Sequence, residues 1–294
     1  MQPLTSSLWD AAHTYHHSAF PPELVAAQRT LSISVCLPAR DEAATIGAIL
    51  DDLMPLLACG VVDQVVVVDD STDGTAEIAR SVGAEVHAQS ELCARFGPVL
   101  GKGDAMWRAL SILWGDVVCY LDADSRQFGP HYATALAGLV ACDRSVAFVK
   151  GFYRRPFDAG AVVHDHGGGR VTELTARPLL AAFYPELARV RQPLAGEIAA
   201  RRDLLMRLPF LCGYAVDVGL LIDAWHAVGL ERLAQVDLDV RQNRHRPLDD
   251  LGPMAAAVLG GVLHKARADG LLDVASGVVE RPPMASLALA ARPM

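Results

Sequence analysis

Four consecutive valines, Val65–Val68, followed at once by Asp69 and Asp70, constrain this chain more than any other feature. A β-branched run without polar interruption suits a strand covered on both faces, and such strands belong to parallel sheets flanked by helices. The signature recurs at 33–39, 117–121 and 147–149. Between these runs the period changes from two to 3.6 residues. Ile46, Ile49, Leu50, Leu53, Met54 and Leu57 lie on one helical face, as do Ala105, Met106, Ala109, Leu110 and Leu113 after Gly103. Alternating strands and helices predict an open α/β sheet, whose ligands bind at the carboxyl ends of the strands.

Four polar motifs stand where those strands should end. Asp122-Ala123-Asp124 follows the run 117–121. Alternate residues at a strand end point the same way, so one turn can aim both carboxylates at one cation. Hard oxygen donors suit Mg²⁺ or Mn²⁺. Pro38-Ala39-Arg40-Asp41-Glu42 ends the first strand, with Pro38 expected to block further pairing. In 69–75, Asp69 or Asp70 can accept hydrogen bonds from a base or ribose, while Ser71 to Asp73 are explained by helix capping. Gly101-Lys102-Gly103 opens a helix, placing an ammonium where the backbone can approach a phosphate closely. Gly97 to Gly103 is too short for a P-loop and has Gly103 where Ser or Thr should stand.

Composition narrows the classes further. The 294 residues are 52% hydrophobic with net charge -8 and no basic run. Nucleic acid is therefore not the expected partner, since phosphate-backbone binding leaves a basic footprint. Six scattered cysteines without C-x-x-C spacing read as buried reduced thiols. The start has no signal-peptide pattern, and no apolar stretch approaches the ~20 residues needed to span a bilayer. A cytoplasmic protein without membrane insertion is expected. Beyond 152 the periodicity loosens: Gly167–Gly169 should lead into a helix broken near Pro178, with further helices over 197–208 and 216–228. Trp107, Trp114 and Trp225 fall in helical stripes and read as core. His166 to Gly169 is similar to a lipase oxyanion loop, but the G-x-S-x-G elbow is missing.

Together the first-half motifs resemble family 2 glycosyltransferases. The second half resembles the retaining glucosyl-3-phosphoglycerate synthases, through Phe152-Tyr153-Arg154-Arg155-Pro156, Gly167 to Leu174, Gln192 to Glu197, Gly213 to Asp223 and Arg246 to Asp249. The resemblance implies a GT-A fold, a Rossmann-like mixed α/β sheet with helices on both faces. Residues 32–150 would bind the nucleotide sugar and 151–270 the acceptor within the same unit. Residues 1–31 and 271–294 would be terminal arms. It further implies transfer of glucose from UDP-glucose to the 2-hydroxyl of 3-phosphoglycerate with retention, and allows for a homodimer.

Carried over, Pro38, Ala39, Arg40, Glu42 and Asp70 would line the uridine pocket, with Lys102 near the diphosphate. Asp122 would contact the nucleotide sugar and Asp124 the metal. Gly169, Arg170 and Thr172 would hold the acceptor's phosphate. Glu197 and Asp217 would orient sugar hydroxyls or stabilise charge at the anomeric carbon, although the family usually has glutamate where Asp217 stands. A His-Arg-Asn order in the family is Asn243-Arg244-His245 here, so either His245 completes the metal site with Asn243 at the acceptor, or His245 contacts the acceptor and leaves Asn243 or water at the cation. Mannosyl-3-phosphoglycerate synthase, or transfer to another phosphorylated acceptor, is the neighbouring reading. A nucleotidyltransferase is the reading of different class. It would carry a glycine-rich loop after the first strand, and Pro38 to Glu42 contains no glycine.

Overall fold

The computed structural model describes residues 8–155, 157–158, 163–164, 169–241 and 248–272. The helices are α1 (Leu8–His13), α2 (Pro22–Gln28), α3 (Ile46–Ala58), α4 (Thr75–Val82), α5 (Lys102–Ala109), α6 (His131–Cys142), α7 (Arg177–Phe183), α8 (Arg202–Leu205), α9 (Val216–Val228) and α10 (Leu248–Ala268). The strands are β1 (Thr14–His16), β2 (Ile33–Ala39), β3 (Gln64–Asp69), β4 (Glu85–Ala88), β5 (Val117–Tyr120), β6 (Phe148–Arg154), β7 (Phe157–Asp158), β8 (Val163–His164), β9 (Ile198–Arg201) and β10 (Leu233–Val240). Eight strands form one sheet in the order β1-β10-β6-β9-β5-β2-β3-β4, and β7 pairs with β8 separately.

The valine run shows why coverage on both faces was required. Val65 and Val67 pack with Ile33, Val35 and Leu37 against α2, α3 and α6, while Val66 and Val68 join Cys36, Val118 and Tyr120 against α5 and α9. The α5 stripe is buried as expected, and α3 buries Ile46, Ile49, Leu50 and Leu53, with Met54 and Leu57 partly covered. Parallel pairing runs through the sheet except at β9, which lies antiparallel between β5 and β6.

Strand β9 corrects the expected helix over 197–208: Ile198 to Arg201 are extended, and only Arg202–Leu205 are helical. The alanines favour helix locally, but Val117↔Arg201 and Phe148↔Ala200 pairing fills the gap between two buried strands. Pro38 blocks pairing on one side only. Cys36 accepts Leu121 N–H from the β5 side, and the next residue facing that way is Pro38, where the ladder ends; towards β3 the register continues to Ala39↔Asp69.

The N-terminal segment, expected as an arm, supplies the sheet's edge: β1 pairs with β10, and Trp9 and Val25 are buried. Pro178 does not break its helix. The wide π-type turn Thr172–Ala176 runs directly into α7, where Pro178 sits at the first turn and its missing N–H costs little. Among the six free cysteines, Cys36 and Cys119 are buried, but Cys59 and Cys212 are exposed. Trp114 is also exposed rather than core. Among the described residues no helix is long and apolar enough to cross a membrane.

Candidate active site

The loops after β2 and β3 hold each other. Asp41 adopts φ 58° and donates its N–H to Ser71 Oγ at 2.8 Å, while its Oδ1 accepts Thr72 N–H at 2.9 Å. Glu42 N–H reaches Thr75 Oγ1 at 2.9 Å, and Asp73 accepts Thr75 N–H and Ala43 N–H, each at 3.1 Å. The N-cap of α4 is Gly74, without a side-chain cap, so the capping expected of Ser71 to Asp73 is reduced to the Asp73 contact with Thr75 N–H, while Ser71 and Thr72 tie the two loops together. Pro38 to Glu42 and Asp70 become one wall of a cavity of about 640 Å³.

Lys102 opens α5 from Gly101, whose φ of 79° requires glycine. Asp104 fixes this start by accepting Leu100 N–H at 3.0 Å, Gln89 Nε2–H at 3.1 Å and Arg108 Nε–H at 2.8 Å. Lys102 Nζ then donates to Asp122 Oδ1 at 2.7 Å and Asp217 Oδ2 at 3.2 Å. Asp122 and Asp124 project from the turn after β5, anchored by Thr45 Oγ1–H donating to Ala123 O at 2.6 Å. Asp217 comes from the first turn of α9.

Arg241, one residue beyond β10, completes the network and was not singled out from the sequence. It donates to Asp122 Oδ2 at 3.2 Å, Asp124 Oδ1 at 2.6 Å, Tyr153 Oη at 2.8 Å and Glu197 Oε1. Its position after a strand run was the available signal, because ligands gather at carboxyl strand ends. Tyr153, in turn, donates to Glu197 Oε2 at 3.0 Å and accepts from Arg155 at 2.6 Å. Glu197 does not line the cavity; it stands behind Arg241 and is 1% exposed. Gly196 gives the backbone a close approach to the site, since a Cβ there would push aside the Asp122 carboxylate and Lys102 Nζ.

Burial alone would lower the Lys102 pKa, but Asp122 and Asp217 outweigh it and hold the ammonium charged. Burial would raise Asp122, but Lys102 and Arg241 press it well below the usual carboxylate range. For Asp217 and Glu197 burial wins over their cationic neighbours and both are raised. Burial, with Asp124 and Asp122 repelling it, pushes Glu42 up to about 7. Burial also lowers Lys150 to about 8, where it donates to Ala195 O at 2.7 Å.

Of the residues expected to act, Pro38, Ala39, Arg40, Glu42, Asp70, Lys102, Asp122, Asp124, Gly169, Arg170, Thr172 and Asp217 all line this one cavity. Asn243 and His245 lie outside the described residues. The donor set fits a hard divalent cation: Asp122 and Asp124 share one turn, Asp124 is 45% exposed at its side chain, and their charge is felt at Glu42. Among the described residues Asp217 Oδ1 is buried without a hydrogen-bond partner.

Residues 34–165 match the family described as Glycosyl transferase family 2. Glucosyl-3-phosphoglycerate synthase of Mycolicibacterium smegmatis is 39% identical over 97% of this chain and 96% of its own length. A crystal structure of mannosyl-3-phosphoglycerate synthase from Rubrobacter xylanophilus superposes with TM-score 0.84 at 46% identity, covering 92% of this chain and 87% of that one. Glucosyl-3-phosphoglycerate synthase of Mycobacterium tuberculosis, solved with Mn²⁺, UDP-glucose and phosphoglyceric acid, gives TM-score 0.78 at 42% identity over 87% of both chains. The same protein has been solved with Mg²⁺ and UDP. With that agreement in sequence and in an eight-stranded GT-A-like sheet, this chain belongs to the glucosyl-3-phosphoglycerate synthase family.

Proposed function

We propose that this protein transfers glucose from UDP-glucose to the 2-hydroxyl of 3-phosphoglycerate with retention, forming glucosyl-3-phosphoglycerate in a Mg²⁺- or Mn²⁺-dependent reaction. The observation that carries the reading is one cavity uniting the Lys102–Asp122–Arg241–Asp124 network with Gly169, Arg170 and Thr172. Pro38 to Glu42 and Asp70 would hold the uridine, and Lys102 the diphosphate. Asp124, with Asp122 beside it, would hold the cation, whose chemistry is to neutralise charge on the departing diphosphate. Gly169 and Arg170 suit the acceptor phosphate, one by exposing backbone N–H, the other by its charged fork. Residues 32–150 serve the donor and 151–270 the acceptor, although a single sheet runs through both.

Retention is supported by the placement of the carboxylates. An inverting reaction needs a base beside the acceptor hydroxyl. Glu197 is sealed behind Arg241, and Asp217 Oδ2 is held by Lys102. Glu197 is thus closed to the acceptor and Asp217 has one oxygen engaged by the Lys102 ammonium; on the retaining scheme the proton passes to the departing phosphate by same-face attack. Asp217 Oδ1 instead orients a sugar hydroxyl, and Lys102 stabilises developing negative charge. The mannosyl reading is kept alive by the 46% identity to the Rubrobacter protein. We place the enzyme in the cytoplasm, where its six free thiols stay reduced.

The test is incubation with UDP-glucose or GDP-mannose, 3-phosphoglycerate and either cation, followed by proton NMR of the fresh product. An α-glucoside supports the proposal. A β-glucoside overturns retention, and preferential mannosyl transfer overturns the donor assignment.

A further inference from the structure

At the edge of the sheet, His16 ends β1, His17 follows it, and Asp239 stands near the end of the neighbouring β10. We propose that these three side chains form a zinc-class metal site that clasps the N-terminal segment to β10. Their candidate ligand atoms lie within 4.8 Å of one another. Asp239 Oδ1 is 3.4 Å from His16 Nε2, and Oδ2 is 2.6 Å from His17 Nε2. Tetrahedral zinc, with ligands at about 2.0–2.2 Å, holds its donor atoms about 3.4 Å apart. The three donor atoms, within 4.8 Å of one another, need to close by no more than about 1.4 Å to reach that spacing, within reach of a side-chain rotation. Two imidazoles and a carboxylate leave a fourth position for water, with His16 and Asp239 each about half exposed to solvent.

The backbone and the surrounding groups fit the same purpose. After Asp237 the β10 register shifts, and Asp239 takes φ 67°, a left-handed conformation uncommon outside glycine and worth a functional explanation. That bend presents its carboxylate to both histidines, while Asp237 Oδ1 accepts the Asp239 N–H at 3.0 Å. His16 Nδ1 lies 2.8 Å from Ser18 Oγ and accepts the Ser18 N–H at 3.3 Å, which orients the ring with Nε2 towards Asp239, where a metal would take the place of the Nε2 proton. His131 packs against His17 with ring centroids 4.4 Å apart and the planes tilted by 43°. An exposed His–Asp ion pair contributes little and would not by itself account for the bent strand.

Imidazole donors distinguish this site from the all-oxygen pair Asp122 and Asp124 and favour zinc-class ions over Mg²⁺. None of the three residues lines the cavity. Yet Asp239 is two residues before Arg241, so a clasp here fixes the strand end that delivers Arg241 to Asp122 and Asp124.

The test uses untagged full-length protein, stripped with chelator and held in excess Mg²⁺. It measures Zn²⁺ stoichiometry, the visible spectrum with Co²⁺, and melting temperature. The parent should bind one Zn²⁺ per chain at this site, with a four-coordinate Co²⁺ spectrum and a melt raised by several degrees. His17→Gln and Asp239→Asn should each weaken Zn²⁺ binding at least tenfold and abolish the rise. Asn tolerates the left-handed backbone, so the Asp239→Asn melt in chelator should match the parent. Unchanged Zn²⁺ affinity in both variants, or no stoichiometric Zn²⁺ in the parent, overturns the proposal.

Discussion

Arg241→Met should be among the most damaging single changes in this chain, and the damage should be reversible by a second substitution. The Arg241 side chain is 0% exposed and contacts Asp122, Asp124, Glu197 and Tyr153. Methionine keeps much of the volume, so the loss is chiefly electrostatic. Removing one partner of a buried pair costs about 3–5 kcal/mol, because the other charge stays buried. At roughly 2 °C per kcal/mol for a large domain, the melting temperature should fall by about 6–10 °C. Glu197→Gln then separates this account from lost packing. In the parent it removes a partner of Arg241 and should destabilise by about 1–3 kcal/mol. In Arg241→Met it removes the uncompensated charge and should stabilise. The pH dependence has a definite sign. Glu197 is already raised by burial, and without Arg241 it is raised further, so the folded variant binds more protons than the unfolded chain. Arg241→Met should therefore recover stability relative to the parent as pH falls below the raised pKa. Urea unfolding of all four proteins measures the cycle. The reasoning is refuted if Glu197→Gln has the same effect in both backgrounds to within about 0.5 kcal/mol.

Asp124→Ala should lose more than roughly a hundred-fold in kcat, about 3 kcal/mol of charge stabilisation, with an unchanged circular dichroism spectrum; full activity in that variant or in excess chelator would reject the metal assignment. Arg170→Ala should raise the acceptor KM by about 1.5–3 kcal/mol, the scale of a charged hydrogen bond, and leave the donor KM alone. Gly196→Ala should cut kcat at least tenfold while the protein stays folded, because its Cβ displaces Asp122 and Lys102; parent-like kinetics would contradict the close approach. Burial would raise Asp63, but Arg29 and the Ile33 N–H at 2.7 Å hold its pKa down, so its contribution is present above the unfolded value near ~3.9 and lost as pH falls through the lower folded value. Asp63→Asn should thus be less stable than the parent at neutral pH, with the gap closing in acid.

The central sheet was legible because its signal is local and redundant. Val65 to Val68 had to be covered on both faces, and the α3 and α5 stripes supplied the covering surfaces. Two readings failed where distant pairing decided the outcome. Ile198 to Arg201 looks helical by composition, yet sits between β5 and β6, whose edges it satisfies. Thr14 to His16 is too short and polar to announce a strand, and becomes one because β10 offers an open edge with Gln235 opposite Thr14. Propensity is a weak prior against an unpaired buried ladder.

The site divided along the same line. Asp122, Asp124 and Lys102 were visible as a strand-end pair and a glycine-flanked cation, patterns contained within a few residues. Arg241 was not, because its role exists only across 117 residues, from Asp124 to the far end of a different strand. Once located, it changes how the visible residues must be understood. Asp122 and Asp124 do not simply await a cation: with Lys102 and Arg241 in place, their charge is largely compensated before any ligand arrives. A divalent ion entering there must share Asp124 with a guanidinium that is itself held by Glu197 and Tyr153. The buried Glu197 is thereby given a reason to exist apart from proton transfer. On the proposed reading it draws part of Arg241's charge away from the turn after β5 and leaves Asp124, the more exposed carboxylate, to take the metal.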